Sequence, residues 1–192
     1  MEYNLSRATL WNEGGKAALA IGIIPIIYSL TTNLIAELNG NGAFMAALAA
    51  FLNVFLWALK FFGCILLMRL FMKKLVSKYP SADNRTTFKY GTIISFLSAL
   101  IVAAYNLAYT LMMPAEEIRS MFDKALGNNI AMLDLNTRNM LDKTIDAFPV
   151  YYFFITLIYC FIFGYILSLF LAKDIPSRNP FEGNRPGADN SI

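Results

Sequence analysis

The chain contains no histidine. This absence removes the commonest biological metal ligand and the side chain that most often acts as a general base near neutral pH, and so argues against metal-assisted hydrolysis. Cysteine is scarce, with 2 residues, Cys64 and Cys160, each inside an apolar run. Counted at ~1.5 Å per helical residue, their depths differ by roughly 12 Å, beyond the ~7 Å Cα separation a disulfide tolerates, so both read as buried thiols. Carboxylates are missing from the interiors of the long apolar runs, Glu37 standing only at the edge of the first. A proton relay built from intramembrane Asp or Glu therefore has no members here. No catalytic or ligand-binding motif stands in the chain, and no catalytic residue, metal ligand or cofactor is expected.

What the chain has in abundance is apolar side chain. The fraction is 57%, above the ~45–50% of an ordinary soluble domain, and it is collected into long blocks rather than short alternating ones. Four blocks, at about 17–37, 44–70, 89–114 and 147–172, reach or exceed the ~20 residues that an α-helix needs to cross a ~30 Å hydrocarbon core. The sequence thus predicts an all-α integral membrane protein, a single domain over residues 1–172 with four transmembrane helices in an antiparallel bundle. The first block starts only after Lys16 and is longer than the ~7–15 apolar residues of a signal peptide, so it reads as a retained span.

Lysine and arginine set the orientation of such a chain. Arg7 and Lys16 precede the first span, Arg69, Lys73, Lys74, Lys78, Arg85 and Lys89 surround the second connection, and Lys173, Arg178 and Arg185 follow the last span. The first connection has no basic residue, and in the third Asp and Glu outnumber Lys and Arg. Both termini are therefore expected in the cytoplasm. The net charge of +3 marks topology rather than a nucleic-acid partner. The expected partners of Arg69, Lys73, Lys74, Lys78, Arg85 and Lys89 are the bilayer and its anionic headgroups, at about 1 kcal/mol per basic residue near the surface.

The connections differ in kind. Glu37-Leu38-Asn39-Gly40-Asn41-Gly42 is short and rich in residues that tolerate a left-handed backbone, as a tight helical turn requires. Tyr79-Pro80-Ser81-Ala82-Asp83-Asn84 holds a proline and two Asx residues that stop a helix. Between spans three and four, residues 115–146 predict a short extracytoplasmic helical hairpin. Its first arm follows Pro114, with Ile118, Met121, Phe122, Ala125 and Leu126 on one face and Gly127 as its stop; its second carries Leu133, Met140, Leu141 and Ile145. Residues 173–192 are polar and rich in helix breakers, and predict a disordered cytoplasmic tail.

Polar side chains at membrane depth need partners, which makes them candidate functional groups. Asn33, Asn53, Asn106 and Thr156 all lie about 24 Å from the cytoplasmic ends of their spans at ~1.5 Å per residue. They form a candidate intramembrane polar site, read either as hydrogen-bonded glue between helices or as an outward-facing pocket for a small polar or headgroup ligand. Lys60 completes the set, about 13 Å from Arg69 by the same count and hence near the midplane. Its cheaper course is to snorkel toward the cytoplasmic interface; the other is to turn inward toward Tyr28, Ser98 or Tyr165. Small residues recur every fourth position as Gly91, Ser95, Ala99 and Ala103 in span three and as Cys160, Gly164, Ser168 and Ala172 in span four. Such stripes let helices approach closely, within one bundle or between protomers. Pro25 and Pro149 should shape the helices that hold them.

Taken along the chain, these features resemble a known family. The Gly- and Pro-containing first span with its short turn, the Arg69-to-Lys78 basic patch, Thr86-Thr87-Phe88-Lys89-Tyr90-Gly91, the Ala104-to-Tyr109 exit of span three and the Pro-x-x-x-Pro-Phe tail together look like domain-of-unknown-function family 4199, small four-span proteins of bacterial envelopes. The resemblance implies a bacterial inner (plasma) membrane location and no activity or cofactor. The expected function is accordingly that of a non-catalytic accessory or scaffold component of the bacterial cell envelope, with a membrane-protein partner or homo-oligomer in view. A small oligomeric transporter or channel for a polar or anionic solute, and a lipid-processing membrane enzyme, are the alternatives.

Overall fold

Among the described residues there are five helices: α1 (Arg7–Ala36), α2 (Ala43–Lys78), α3 (Asn84–Met112), α4 (Ala115–Leu126) and α5 (Leu135–Asp174). They are seen in a computed structural model that describes residues 6–36, 42–79, 82–127 and 134–175. The expected turn at 37–41, Pro80 and Ser81, the start of the second external stretch at 128–133 and the tail beyond Ile175 lie outside the described residues. Helices α1, α2, α3 and α5 are each long and apolar enough to cross a membrane.

The helices overrun the apolar blocks that predict them. Hydropathy marks only the part of a helix suited to hydrocarbon, whereas helix ends are set by capping. The Ser6 hydroxyl accepts the Thr9 amide at 3.1 Å and starts α1 well before residue 17. Asp83 accepts the Thr86 amide at 2.7 Å and starts α3, and Asp134 accepts the Thr137 amide at 3.2 Å and starts α5. Hydrogen bonds from Thr86 and Thr137 hold these two carboxyl groups below their ordinary range. Helix α2 therefore runs on to Lys78 and α3 begins at Asn84, so all six basic residues around the second connection stand on helices.

The segment between α3 and the last span also differs from expectation in one arm. The first arm is α4, with Glu116 and Glu117 in its first turn, Lys124 in its last, and Gly127 ending it at φ 58°, a left-handed conformation that glycine adopts without strain. The second arm is no separate helix. Residues from Leu135 onward run straight into α5, which continues through Pro149 to Asp174. Helix α4 rests on this extension through an Arg119–Asp142 ion pair at 2.9 Å and a Phe122–Phe148 edge contact at 5.4 Å between ring centroids.

Helix α3 is the central element. It packs most extensively on α5 and next on α1, while α2 lies mainly against α1. The sequence reason is the small-residue content of α3 and its neighbours. A Cβ added to Gly91 would stand 2.6 Å from the Ser168 Cβ, and one added to Gly164 would stand 2.7 Å from the Ser95 Cβ. The two predicted stripes thus meet each other within the chain. Ser95 and Ser168 donate their hydroxyls to carbonyls of their own helices, Gly91 at 2.7 Å and Tyr165 at 2.8 Å, so the seam carries hydroxyls without needing water. On the other side of α3, Gly14 admits Ile93 and Gly22 admits Ile101. With Ala18, which is fully buried, Gly14 and Gly22 make a third small-residue stripe at every fourth position.

The distribution of side chains is that of a bundle in lipid. Small groups such as Ala17, Ala18, Ala99, Ala103, Thr87 and Ser168 are buried, whereas Leu34, Phe51, Val54, Leu66 and Phe170 face outward. In water this would be inverted; in hydrocarbon it is favourable, since association there depends on close backbone approach rather than on burying apolar surface. A continuous core lies at the Lys-rich end, where Leu10, Met68, Met72, Leu75, Tyr90, Ile94 and Leu171 pack together.

Candidate functional site

The predicted polar layer resolves into pairs. Asn106 donates its amide to the Thr156 hydroxyl at 3.4 Å, joining α3 to α5. Asn33 donates to the Tyr109 hydroxyl at 3.3 Å, joining α1 to α3. Asn53, on the more peripheral α2, joins neither pair: its buried Oδ1 has no hydrogen-bond partner among the described residues, and neither has the buried hydroxyl of Tyr105. The four predicted residues therefore do not close into one ring. Tyr109, outside the predicted set, joins the layer as the partner of Asn33, and it stacks on Tyr105 with centroids 6.2 Å apart.

Lys60 takes the inward of its two courses. Its ammonium lies over the Tyr28 ring, 4.0 Å from the centroid. The preference for snorkelling is corrected by this contact, whose physical basis is the negative face of an aromatic ring: it attracts a cation strongly once water is excluded. Of the other inward candidates, Tyr165 packs on Phe88 and Phe161, and Ser98 donates to the Ser95 carbonyl at 3.2 Å. Trp57 stacks on Phe61 one turn along α2.

The basic residues divide into two kinds. Arg69 pairs with Asp174 across α2 and α5, and Lys78 pairs with Glu13 across α2 and α1 at 2.9 Å. Lys73, Lys74, Arg85 and Lys89 are exposed. Between the ends of α1, α2 and α3 lies a cleft of ≈ 110 Å³. Helix α2 lines it with Phe71, Lys74, Leu75 and Lys78, positions that fall on one helical face by their spacing of three and four. Helix α1 contributes Glu13, Lys16 and Ala17, and α3 contributes Tyr90. The Tyr90 hydroxyl donates to the Glu13 carbonyl at 3.4 Å, and Lys78 also lies 5.3 Å from the Tyr79 ring centroid.

No family model, curated protein or solved structure matches this chain.

Sequence reasoning thus named Lys74 and Lys78 but not Lys16, Glu13 or Tyr90 as parts of one site. The available signal was Glu13-x-x-Lys16-Ala17 immediately before the first span. In the sequence Lys16 reads as topology alone and Glu13 carries no signal of its own, because nothing in the linear order says that the start of α1 meets the end of α2. Among the described residues no group of three or more His, Cys, Asp or Glu side chains is placed to hold a metal ion.

Proposed function

We propose that this chain is a non-catalytic multi-pass membrane protein of the bacterial inner membrane, an accessory or scaffold component of the envelope whose antiparallel bundle has both termini in the cytoplasm and a helical hairpin outside. The observation that carries the reading is the use of the intramembrane polar groups. Asn33–Tyr109, Asn106–Thr156 and Lys60–Tyr28 each tie one helix to another, as interhelical glue does, and their polar atoms face each other rather than a path. The resemblance to domain-of-unknown-function family 4199 supports the bacterial envelope as the setting. In such a protein α4 and the start of α5 offer an amphipathic surface to a partner on the far side of the membrane. Crosslinking followed by affinity purification from the native membrane tests this: one stoichiometric membrane-protein partner is expected, and recovery of the chain alone under crosslinking sinks the accessory role.

A transporter of a polar solute is the second reading, favoured by the unpartnered buried Asn53 Oδ1 and Tyr105 hydroxyl. Buried polar atoms of this kind normally find water or a ligand. Solute flux into vesicles containing the purified chain, abolished by Asn53→Leu, would establish it in place of the accessory role.

A further inference from the structure

The cleft at the Lys-rich ends of α1, α2 and α3 has a composition that diffuse headgroup attraction does not require. It gathers Lys16, Lys74 and Lys78 around a space of ≈ 110 Å³, with Glu13 as the single acidic residue lining it. Three ammonium groups against one carboxylate leave a net double positive charge. A phosphate monoester carries about −1.5 to −2 at neutral pH, so it matches this charge, whereas a phosphodiester carries one negative charge and leaves half of it uncompensated.

The size agrees with that assignment. About 10–15 Å³ of such space accommodates one water, so the cleft admits several waters or one tetrahedral phosphate. Its walls are asymmetric. Lysines stand at its polar rim, while Ala17, Phe71 and Leu75 begin the apolar lengths of α1 and α2. Below them the outer face of α2 continues with Leu70 and Leu66, both well exposed, a surface along which acyl chains can lie.

Glu13 has a definite place in this arrangement. Its carboxylate holds the Lys78 ammonium at 2.9 Å and occupies the donor that an incoming phosphate would use. The pair is half-exposed, at 52% and 28% of the side-chain surface for Lys78 and Glu13, and exchange of one anion for another costs little there.

We infer that this cleft is a binding site for a phosphate monoester group, held by Lys16, Lys74 and Lys78 and opposed by Glu13. The inference rests on the reading that α1, α2 and α3 cross a bilayer with their Lys-rich ends at its surface. The group is supplied either by a lipid headgroup or by free phosphate, and the two sources are separable. The full-length chain in phosphatidylcholine nanodiscs doped with dioleoylphosphatidate should retain one phosphatidate by native mass spectrometry, and should hold dioleoylphosphatidylglycerol more weakly. Lys16→Gln and Lys74→Gln should each weaken retention more than about tenfold, the loss of a hydrogen bond to a charged group, whereas Lys89→Gln, outside the cleft, should lose no more than the about fivefold of diffuse surface attraction. Glu13→Gln should strengthen it severalfold, a gain that misfolding cannot imitate. Inorganic phosphate bound in undoped nanodiscs with the same pattern of variants would assign the same site to a soluble ligand. Equal retention of phosphatidate and phosphatidylglycerol, an equal loss in Lys89→Gln, or no gain in Glu13→Gln overturns the site. Release of the chain from membranes by alkaline carbonate would overturn the membrane reading instead.

Discussion

A lysine at the depth of Lys60 is subject to two opposed effects of similar size. Placing its ammonium at the centre of a bilayer costs at least ~2.5–3.5 kcal/mol on insertion scales, and a desolvated cation–π contact returns about 2 kcal/mol or more. The contact with Tyr28 at 4.0 Å therefore offsets most of the cost without exceeding it. The two partners should respond with opposite signs. Lys60→Leu, which removes the charge, is expected to leave stability unchanged or raise it by about 1 kcal/mol, the difference between those terms. Tyr28→Leu, which leaves the charge in place without its ring, is expected to lower stability by about 2 kcal/mol. Unfolding of both variants in a phosphatidylcholine bilayer measures the contrast; equal losses would show that the ring and the ammonium do not interact. The place of Lys60 inside the second apolar run was legible in the sequence, but its direction was not, because snorkelling and inward rotation differ only in side-chain torsions and in what α1 presents opposite it.

At the scale of elements, the seam between α3 and α5 decides the packing. The every-fourth stripes were legible because small residues at that spacing share a helix face. Which stripe faced which was not, since a small residue can as well meet a second protomer. The geometry makes the seam testable by exchange. Gly91→Ala places its methyl 2.6 Å from the Ser168 Cβ and should destabilise the chain by about 1–3 kcal/mol, the usual cost of overpacking. Adding Ser168→Gly, which removes the opposing Cβ, should recover most of that loss. A thermal unfolding series in detergent micelles checks the cycle, and additive losses in the double variant would place the seam elsewhere. The same scale explains why the helices outrun the apolar blocks: Ser6, Asp83 and Asp134 start helices in polar sequence that hydropathy leaves out.

For the molecule as a whole, packing is uneven along the bundle. The continuous core gathers at the Lys-rich end, whereas Trp57, Leu59, Phe62, Ile155 and Tyr159 point outward along the apolar length. This end is also where the charged residues of α1, α2 and α5 pair across helices, so it forms the firmer end of the bundle. The proposed cytoplasmic side of this end rests on the lysine and arginine excess, which acts at membrane insertion rather than in packing. A reporter fused after Ile192 should be active only on the cytoplasmic side; activity on the opposite side would invert the whole arrangement, the cleft included.

The sequence by itself determined the number of long apolar helices, the place of each polar side chain along its helix and the presence of small-residue faces, because these depend on local composition and on a rise of ~1.5 Å per residue. Tertiary structure alone decided the partners. It set Asn33 on Tyr109 rather than in a ring with Asn53, turned Lys60 onto Tyr28, and brought Lys16 of α1 to the same cleft as Lys74 and Lys78 of α2. The reason is that rotation about a helix axis is invisible in hydropathy. It is set by how closely two backbones can approach, and here glycines at Gly14, Gly22, Gly91 and Gly164 determine that approach.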